Sequence, residues 1–139
     1  MFRSVDRKEL LGYYRTAEIA LVTPLKDGMN LIAKEYCASS PEENGVLILS
    51  EFAGAAAQLQ EGALLVNPYD EDGVADAIYE AFTMPAEERK RRMKKLRASV
   101  RRRDIYWWVN SFLEAAIAKR LDNFPIVEDY LPQVEMKGQ

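Results

Sequence analysis

Val46-Leu47-Ile48-Leu49 is an uninterrupted apolar run without the polar alternation of a half-exposed strand. Ile19-Ala20-Leu21-Val22 and Ala63-Leu64-Leu65-Val66 have the same character. Continuous apolar runs of this length are typical of strands that are covered on both faces, as in a parallel sheet. The three runs therefore predict a short parallel sheet.

Segments with helical spacing precede, separate and follow the three runs. They lie at 6–16, at 31–39, at 53–59, after Asp70, from about Pro85 to Arg102, and after Asp104. This order predicts a Rossmann-like α/β unit, with helices flanking the sheet and two long helices closing it. We predict one domain over residues 1–121 and an irregular tail over 122–139, where periodicity is lost. Since three strands are few for a doubly wound sheet, we expect the chain to be the carboxyl-terminal portion of something larger.

Composition excludes several classes of site. The chain has 139 residues, a net charge of -3, no histidine and a single cysteine, Cys37. The absence of histidine excludes His-based metal sites and Ser-His-Asp triads, and one cysteine excludes an internal disulfide. No apolar stretch approaches the roughly 20 residues that span a bilayer, and the amino terminus does not look like a signal peptide. We predict a cytoplasmic protein that uses no metal and binds neither membrane nor nucleic acid.

The loop Thr23-Pro24-Leu25-Lys26-Asp27-Gly28-Met29-Asn30 leaves a predicted strand at its carboxyl end, where ligands bind in open α/β sheets. Asn30 can cap the following helix, whose first backbone N–H groups lack internal partners and can hold a phosphate. Gly28 permits a tight turn or a close approach to a ligand. Asp27 would repel a phosphate, so sugar hydroxyls suit it better. The loop is compatible with a site for a sugar phosphate or a sugar nucleotide.

Glu35 lies one helical turn further on, in an apolar arc formed with Leu31, Ile32 and Ala38. A charged side chain in apolar surroundings needs a polar partner, and ribose hydroxyls are plausible ones. A simpler interpretation is also open at this point. Asp-Gly is a common turn, Asn a common helix cap, and a half-exposed Glu is commonplace.

Three segments closely resemble the donor-site region of the trehalose-6-phosphate synthase family. They read TPLKDGMNLIAKEY at 23–36, GVLILSEFAGAA at 45–56 and ALLVNPYD at 63–70, and the likeness covers roughly residues 5 to 114. The resemblance implies a GT-B fold, of which this chain is a partial carboxyl-terminal half-domain. It also implies a retaining glycosyltransferase that moves glucose from UDP-glucose, or another nucleotide-glucose, to glucose 6-phosphate in trehalose biosynthesis. Such enzymes use neither a metal nor another cofactor.

The same resemblance implies a role for the residues around the glucose. Asp27 would accept hydrogen bonds from the glucose hydroxyls, and through this contact it is the one residue of the chain predicted to be catalytic. The backbone of Gly28, Met29 and Asn30 would line the sugar.

The nucleotide contacts follow from the same match. The N–H groups of Leu31 and Ile32 would meet the diphosphate, and Glu35 would accept from the ribose hydroxyls. Val5, the residue before Asp6, falls where family members contact the base through the main chain.

Parts of the family pattern have no counterpart in this sequence. The amino-terminal domain with the acceptor-phosphate contacts, and the Arg and Lys that clamp the diphosphate, are not found. We therefore expect that the isolated chain does not transfer glucose by itself, and that a missing acceptor domain or a partner chain completes it. The alternative is a non-catalytic interaction or regulatory module that keeps the fold without activity.

The run from Lys90 to Arg103, KRRMKKLRASVRRR, suggests a polyanion-binding protein when taken alone. Met93, Leu96 and Val100 nevertheless recur at helical spacing, which predicts a packed helix with a solvated basic face. Glu87 and Glu88 are placed to pair with Arg91 and Arg92, one turn away. Trp107 and Trp108 point about 100° apart on a helix, so they cannot share one face. An exposed apolar patch there would favour a homo-oligomer.

Overall fold

The computed structural model describes residues 5–118, so the predicted tail and the domain boundary at residue 121 lie outside the described residues and stay predictions. The elements are α1 (Arg7–Thr16), β1 (Ile19–Val22), α2 (Leu31–Ala38), β2 (Val46–Ser50), α3 (Ala56–Leu59), β3 (Leu64–Val66), α4 (Glu71–Thr83), α5 (Ala86–Arg102) and α6 (Ile105–Ala118). Their order is the one that the sequence predicts. The described residues up to Arg102 form one compact unit, and those from Arg103 belong to a second.

The three strands form one parallel sheet in the order β1-β2-β3. Ile19 is paired with Val46 at one side of the central strand, and Ile48 with Leu64 at the other. The predicted α/β fold with a short parallel sheet flanked by helices is confirmed.

The two faces of β2 are both covered, and every residue of this strand is buried. Leu47 and Leu49 belong to a core cluster on one face, and Val46 and Ile48 to a cluster on the other. The buried partners on the first face come from α2, α3 and α5, and include Ala33, Tyr36, Cys37, Ala56, Leu59, Met93 and Leu96. Those on the second face come from β3, α4 and the residue after it, and include Leu64, Val66, Ala77, Ala81 and Met84. The unit thus has three layers, as a continuous apolar strand requires.

β1 departs from the expectation of cover on both faces. It lies at the edge of the sheet, and Leu21 is 48% exposed. The expectation is wrong for this strand because α4 packs on β2 and β3, which leaves Leu21 outside the second cluster.

α3 is shorter than the predicted helix over 53–59. It begins only at Ala56, because the preceding loop is held against the loop after β1. Ala53 forms an isolated bridge with Asp27, and the N–H of Gly54 donates to the carbonyl oxygen of Asp27 at 2.8 Å. Residues 53 and 54 therefore make a tertiary contact that helical spacing does not reveal.

The basic helix α5 packs as predicted, with Met93 and Leu96 buried. Glu88 pairs with Arg91 at 2.7 Å and with Arg92 at 2.8 Å, whereas no ion pair of Glu87 is found within residues 5–118. These two arginines hold the pKa of Glu88 at about 2, mainly through the hydrogen bond from Arg91. Polyanion binding by the exposed basic side chains stays an untested hypothesis.

Within the second unit, Asp104 caps α6 by accepting from the N–H of Trp107 at 2.9 Å, as predicted. The ring of Trp108 stacks on Phe112 at a centroid distance of 5.5 Å. The guanidinium of Arg103 lies 5.6 Å from the centroid of the Trp107 ring. The two tryptophans thus serve different faces of the helix. No helix among the described residues is both long and apolar enough to cross a bilayer.

Two buried groups on α2 make stability sensitive to alkaline pH. Burial raises the pKa of the Cys37 thiol from 9.0 to about 12, and that of the Tyr36 phenol from 10.0 to about 12. Both groups are neutral when protonated, so their contribution to stability is complete below pH 9 and is lost as pH rises toward 12. We expect the free energy of unfolding, measured by urea denaturation, to fall steadily between pH 9 and 12. Cys37→Ala should show a shallower fall, and an unchanged slope in that variant would contradict the assignment.

Candidate functional site

The candidate site lies at the carboxyl edge of the sheet, where the loops after the three parallel strands emerge together. These loops cover 23–30, 51–55 and 67–70. The first two are tied by the contact of Asp27 with Ala53 and Gly54. The second and third loops are in contact through the rings of Phe52 and Tyr69, whose centroids are 6.0 Å apart. This edge is the expected ligand position in an open α/β sheet.

Asp27 organises the first loop through its carboxylate. Its Oδ1 accepts from the N–H of Met29 at 3.1 Å and from the N–H of Asn30 at 3.0 Å. Its Oδ2 accepts from Nδ2 of Asn30 at 2.8 Å. The bond from the Met29 N–H, followed by that from the Asn30 side chain, lowers the pKa of Asp27, so the group is ionised at neutral pH. Oδ2 keeps a free lone pair for a ligand hydroxyl.

Asn30 links the Asp27 carboxylate to the first turn of α2. It is 6% exposed, and its Oδ1 accepts from the N–H of Ala33 at 2.9 Å, which confirms the predicted cap. The left-handed backbone of the loop falls on Asn30, with φ 57°, and no glycine among the described residues has a positive φ. Gly28 lies in a bend of the loop without a positive φ, so the access of glycine to left-handed backbone is not used there. A Cβ placed on Gly28 would meet no atom within 4 Å, so Gly28 borders open space.

The first two N–H groups of α2 belong to Leu31 and Ile32. No acceptor for the N–H of Leu31 or of Ile32 is found within the part of the chain that the structure describes. Both side chains are exposed, Leu31 by 58% and Ile32 by 53%. These amides sit at the positive end of the helix dipole, an arrangement that attracts anions.

Glu35 lies on the same exposed side of α2. Its Oε2 accepts from the hydroxyl of Tyr14 at 3.1 Å, and no partner of Oε1 is found among residues 5–118. The apolar arc of Leu31, Ile32 and Ala38 is exposed rather than buried. The expectation that apolar surroundings oblige Glu35 to find a polar partner is therefore wrong. The carboxylate is exposed to solvent and accessible to a ligand.

Six of the predicted site residues lie together at the amino-terminal end of α2, which is called the mouth of α2 below, and Glu35 lies one turn further along the helix. The six are Asp27, Gly28, Met29, Asn30, Leu31 and Ile32. The N–H groups of Met29 and Asn30 donate to Asp27, which leaves those of Gly28, Leu31 and Ile32 for a ligand, since no acceptor for them is found among residues 5–118. Val5 is partly buried and directly precedes Asp6, whose carboxylate caps α1. α1 packs against α2. The ligand contacts assigned to all of these residues stay predictions.

Two residues of the site were missed by sequence reasoning. Gly54 stands where a Cβ would overlap the carbonyl group of Gly28, so only glycine permits the close approach of the two loops. A glycine inside the predicted helix over 53–59 was the signal that could have identified Gly54, because glycine is unfavourable in a helix. Tyr14 carries no local signal, because its contact with Glu35 depends on the packing of α1 against α2. Within the described residues, no group of three or more His, Cys, Asp or Glu side chains could hold a metal ion.

Comparison with known proteins finds related sequences and solved structures. Residues 1–118 match the model of glycosyltransferase family 20. The chain is 54% identical over 110 residues to a trehalose-6-phosphate synthase of Sodalis glossinidius, covering 78% of this chain and 23% of that protein. It superposes with a TM-score of 0.77 and 47% identity on a UDP-forming α,α-trehalose-phosphate synthase of Burkholderia vietnamiensis, over 84% of this chain and 26% of that one.

A structure from E. coli described as bound with UDP-2-fluoro glucose is also similar, with a TM-score of 0.76 and 46% identity over 81% of this chain and 25% of that one. The chain thus spans about a quarter of the length of the relatives that it matches. The predicted partial GT-B half-domain is confirmed by these superpositions. The chain belongs to glycosyltransferase family 20, the family of the trehalose-6-phosphate synthases.

Proposed function

We propose that this chain supplies the donor-binding part of a trehalose-6-phosphate synthase, and that it binds UDP-glucose or another nucleotide-glucose at the mouth of α2. The observation that carries the proposal is the pair of N–H groups of Leu31 and Ile32, which have no acceptor among residues 5–118, a few residues from the ionised carboxylate of Asp27. One feature attracts a phosphate and the other accepts from hydroxyls. A sugar nucleotide presents both kinds of group.

The diphosphate is assigned to the mouth of α2. Its negative charge is stabilised by the two amides and by the helix dipole without help from a metal. The same interaction strengthens as charge builds on the leaving diphosphate during transfer, so it favours the transition state over the bound donor. No cofactor enters this proposal.

The glucose of the donor is assigned to the Asp27 carboxylate, and the ribose is assigned to the Glu35 carboxylate. Asp27 accepts three hydrogen bonds from Met29 and Asn30, and its neighbour Gly28 borders open space. Glucose hydroxyls donating to Oδ2 would be oriented there. Glu35 is exposed and offers Oε1 to the ribose hydroxyls.

The acceptor side of the reaction lies outside the proposal for this chain alone. The segment of each relative that the chain matches is about a quarter of that relative's length. We propose that an acceptor domain, on a longer chain or on a partner, closes over the donor.

Calorimetric titration with UDP-glucose tests the proposal. We expect saturable binding by the wild type and a loss of about tenfold or more in Asp27→Ala, because a polar site without its acceptor leaves ligand hydroxyls unpaired. Glu35→Ala should weaken UDP-glucose and UDP by the same factor, since it acts on the ribose. Glu9→Ala, which removes an exposed carboxylate on α1, is the control. A folded wild type that does not bind would favour the non-catalytic module.

A further inference from the structure

Tyr14 reaches the proposed donor site from a different helix. Its hydroxyl donates to Oε2 of Glu35 at 3.1 Å, across 21 residues of sequence. Its ring is partly buried and packs against the first core cluster, so the position of the hydroxyl is fixed by the fold. The contact therefore joins a donor whose ring is packed on the core to an exposed carboxylate for which residues 5–118 provide no other partner.

We propose that Tyr14 is a positioning residue that holds the Glu35 carboxylate in the orientation that accepts the ribose hydroxyls of the donor. The inference rests on the proposed function. Tyr14 itself does not touch the ligand in this scheme.

The energetic reason is the freedom of an unrestrained glutamate. Glu35 is exposed, and a glutamate loses considerable rotamer entropy when a ligand fixes it. A hydrogen bond that already restrains the side chain removes part of that loss from the binding step. Tyr14 occupies one lone pair of Oε2, which leaves Oε1 and the second lone pair of Oε2 for the two ribose hydroxyls.

The protonation state fits this role. Burial first, and then the hydrogen bond and charge of Glu35, raise the pKa of Tyr14 above 10.0. The phenol is therefore a neutral donor throughout the physiological range. It restrains the carboxylate without repelling the diphosphate nearby.

The chain offers a matched control at the next residue. The hydroxyl of Tyr13 donates to Oε1 of Glu9 at 2.9 Å, within α1 and on an exposed surface. Tyr13→Phe removes the same chemical group and the same kind of hydrogen bond as Tyr14→Phe. It leaves Glu35 untouched.

The test compares UDP with its 2′,3′-dideoxy analogue by calorimetry. We expect Tyr14→Phe to weaken UDP by about two- to tenfold and to leave the dideoxy analogue unchanged. Tyr13→Phe should change neither affinity. In a Glu35→Ala background, Tyr14→Phe should have no further effect on UDP, as a double-mutant cycle requires for residues acting as a pair. Equal weakening of both ligands by Tyr14→Phe, or no weakening of UDP, would overturn the proposal.

A second readout needs no ligand and separates this inference from the proposed function. NMR titration of the Tyr14 phenol should show a lower pKa in Glu35→Gln than in the wild type, because the acceptor charge is removed. An unchanged pKa would mean that the contact is absent, and the positioning role would fall whatever UDP does. Failure of the wild type to bind UDP, with the expected shift at Tyr14, would instead count against the donor site alone.

Discussion

Ile32→Asp is expected to abolish most of the UDP affinity while leaving the fold as stable as before, or more so. Ile32 is in the first turn of α2 and is 53% exposed, so the substitution empties no core position. An aspartate in the first turn of a helix is stabilising by about 0.3–1 kcal/mol through the helix dipole. The same charge about 4 Å from a phosphate charge repels it by about 4 kcal/mol at an effective dielectric near 20, which corresponds to roughly a thousandfold loss of affinity.

The opposite directions of these two effects make the experiment decisive. Urea denaturation measures the free energy of unfolding, and calorimetry with UDP measures the affinity. Ile32→Asn has nearly the same shape as Ile32→Asp without the charge, and we expect it to lose much less affinity. UDP binding by Ile32→Asp at the wild-type affinity would show that the diphosphate lies elsewhere.

Gly54→Ala is expected to destabilise the protein and to weaken the donor site at the same time. Its Cβ would overlap the backbone of Gly28, which cannot yield as a flexible side chain could. Overpacking of this kind costs about 1–3 kcal/mol. The displaced loop carries Asp27, whose carbonyl oxygen accepts from the Gly54 N–H at 2.8 Å, so the sugar contacts move with it.

Gly28→Ala is the matched control on the other side of this contact. Its Cβ would enter open space and its φ is not positive, so we expect the free energy of unfolding to change by less than about 0.5 kcal/mol. Because the glucose is proposed to occupy that space, Gly28→Ala should weaken UDP-glucose more than UDP. Equal thermal stability of the two alanine variants would contradict the close approach of the loops.

The sequence predicted the sheet well because its signal is local and strong. β2 is buried along its whole length, and its apolar run is continuous, so periodicity alone locates it. The caps at Asn30 and Asp104 were also predictable, since a cap depends on residues within one turn of itself. The resemblance to known synthases supplied the identity of the site residues, and the physical reading of the loop alone left the turn-and-cap explanation open.

The features that escaped prediction all depend on contacts between distant segments. Leu21 is exposed because β1 lies at the sheet edge, which no property of the run itself reveals. α3 starts late because Ala53 and Gly54 are held by Asp27. Tyr14 meets Glu35 only because α1 lies against α2. The exposure of Leu31, Ile32 and Ala38 around Glu35 also escaped prediction. Helical spacing shows that these residues share one side of α2, but it does not show whether that side faces the core or the solvent.

The proposed donor site requires that the backbone N–H groups of Leu31 and Ile32 donate to the diphosphate. Nitrogen-15 NMR of the labelled chain during a UDP titration observes these two groups themselves. We expect the two amide resonances to move downfield and saturate together, as amides do on gaining an anionic acceptor, while that of Ala33, which already donates to Asn30, moves much less. Saturable binding in which the Leu31 and Ile32 resonances stay in place would contradict it.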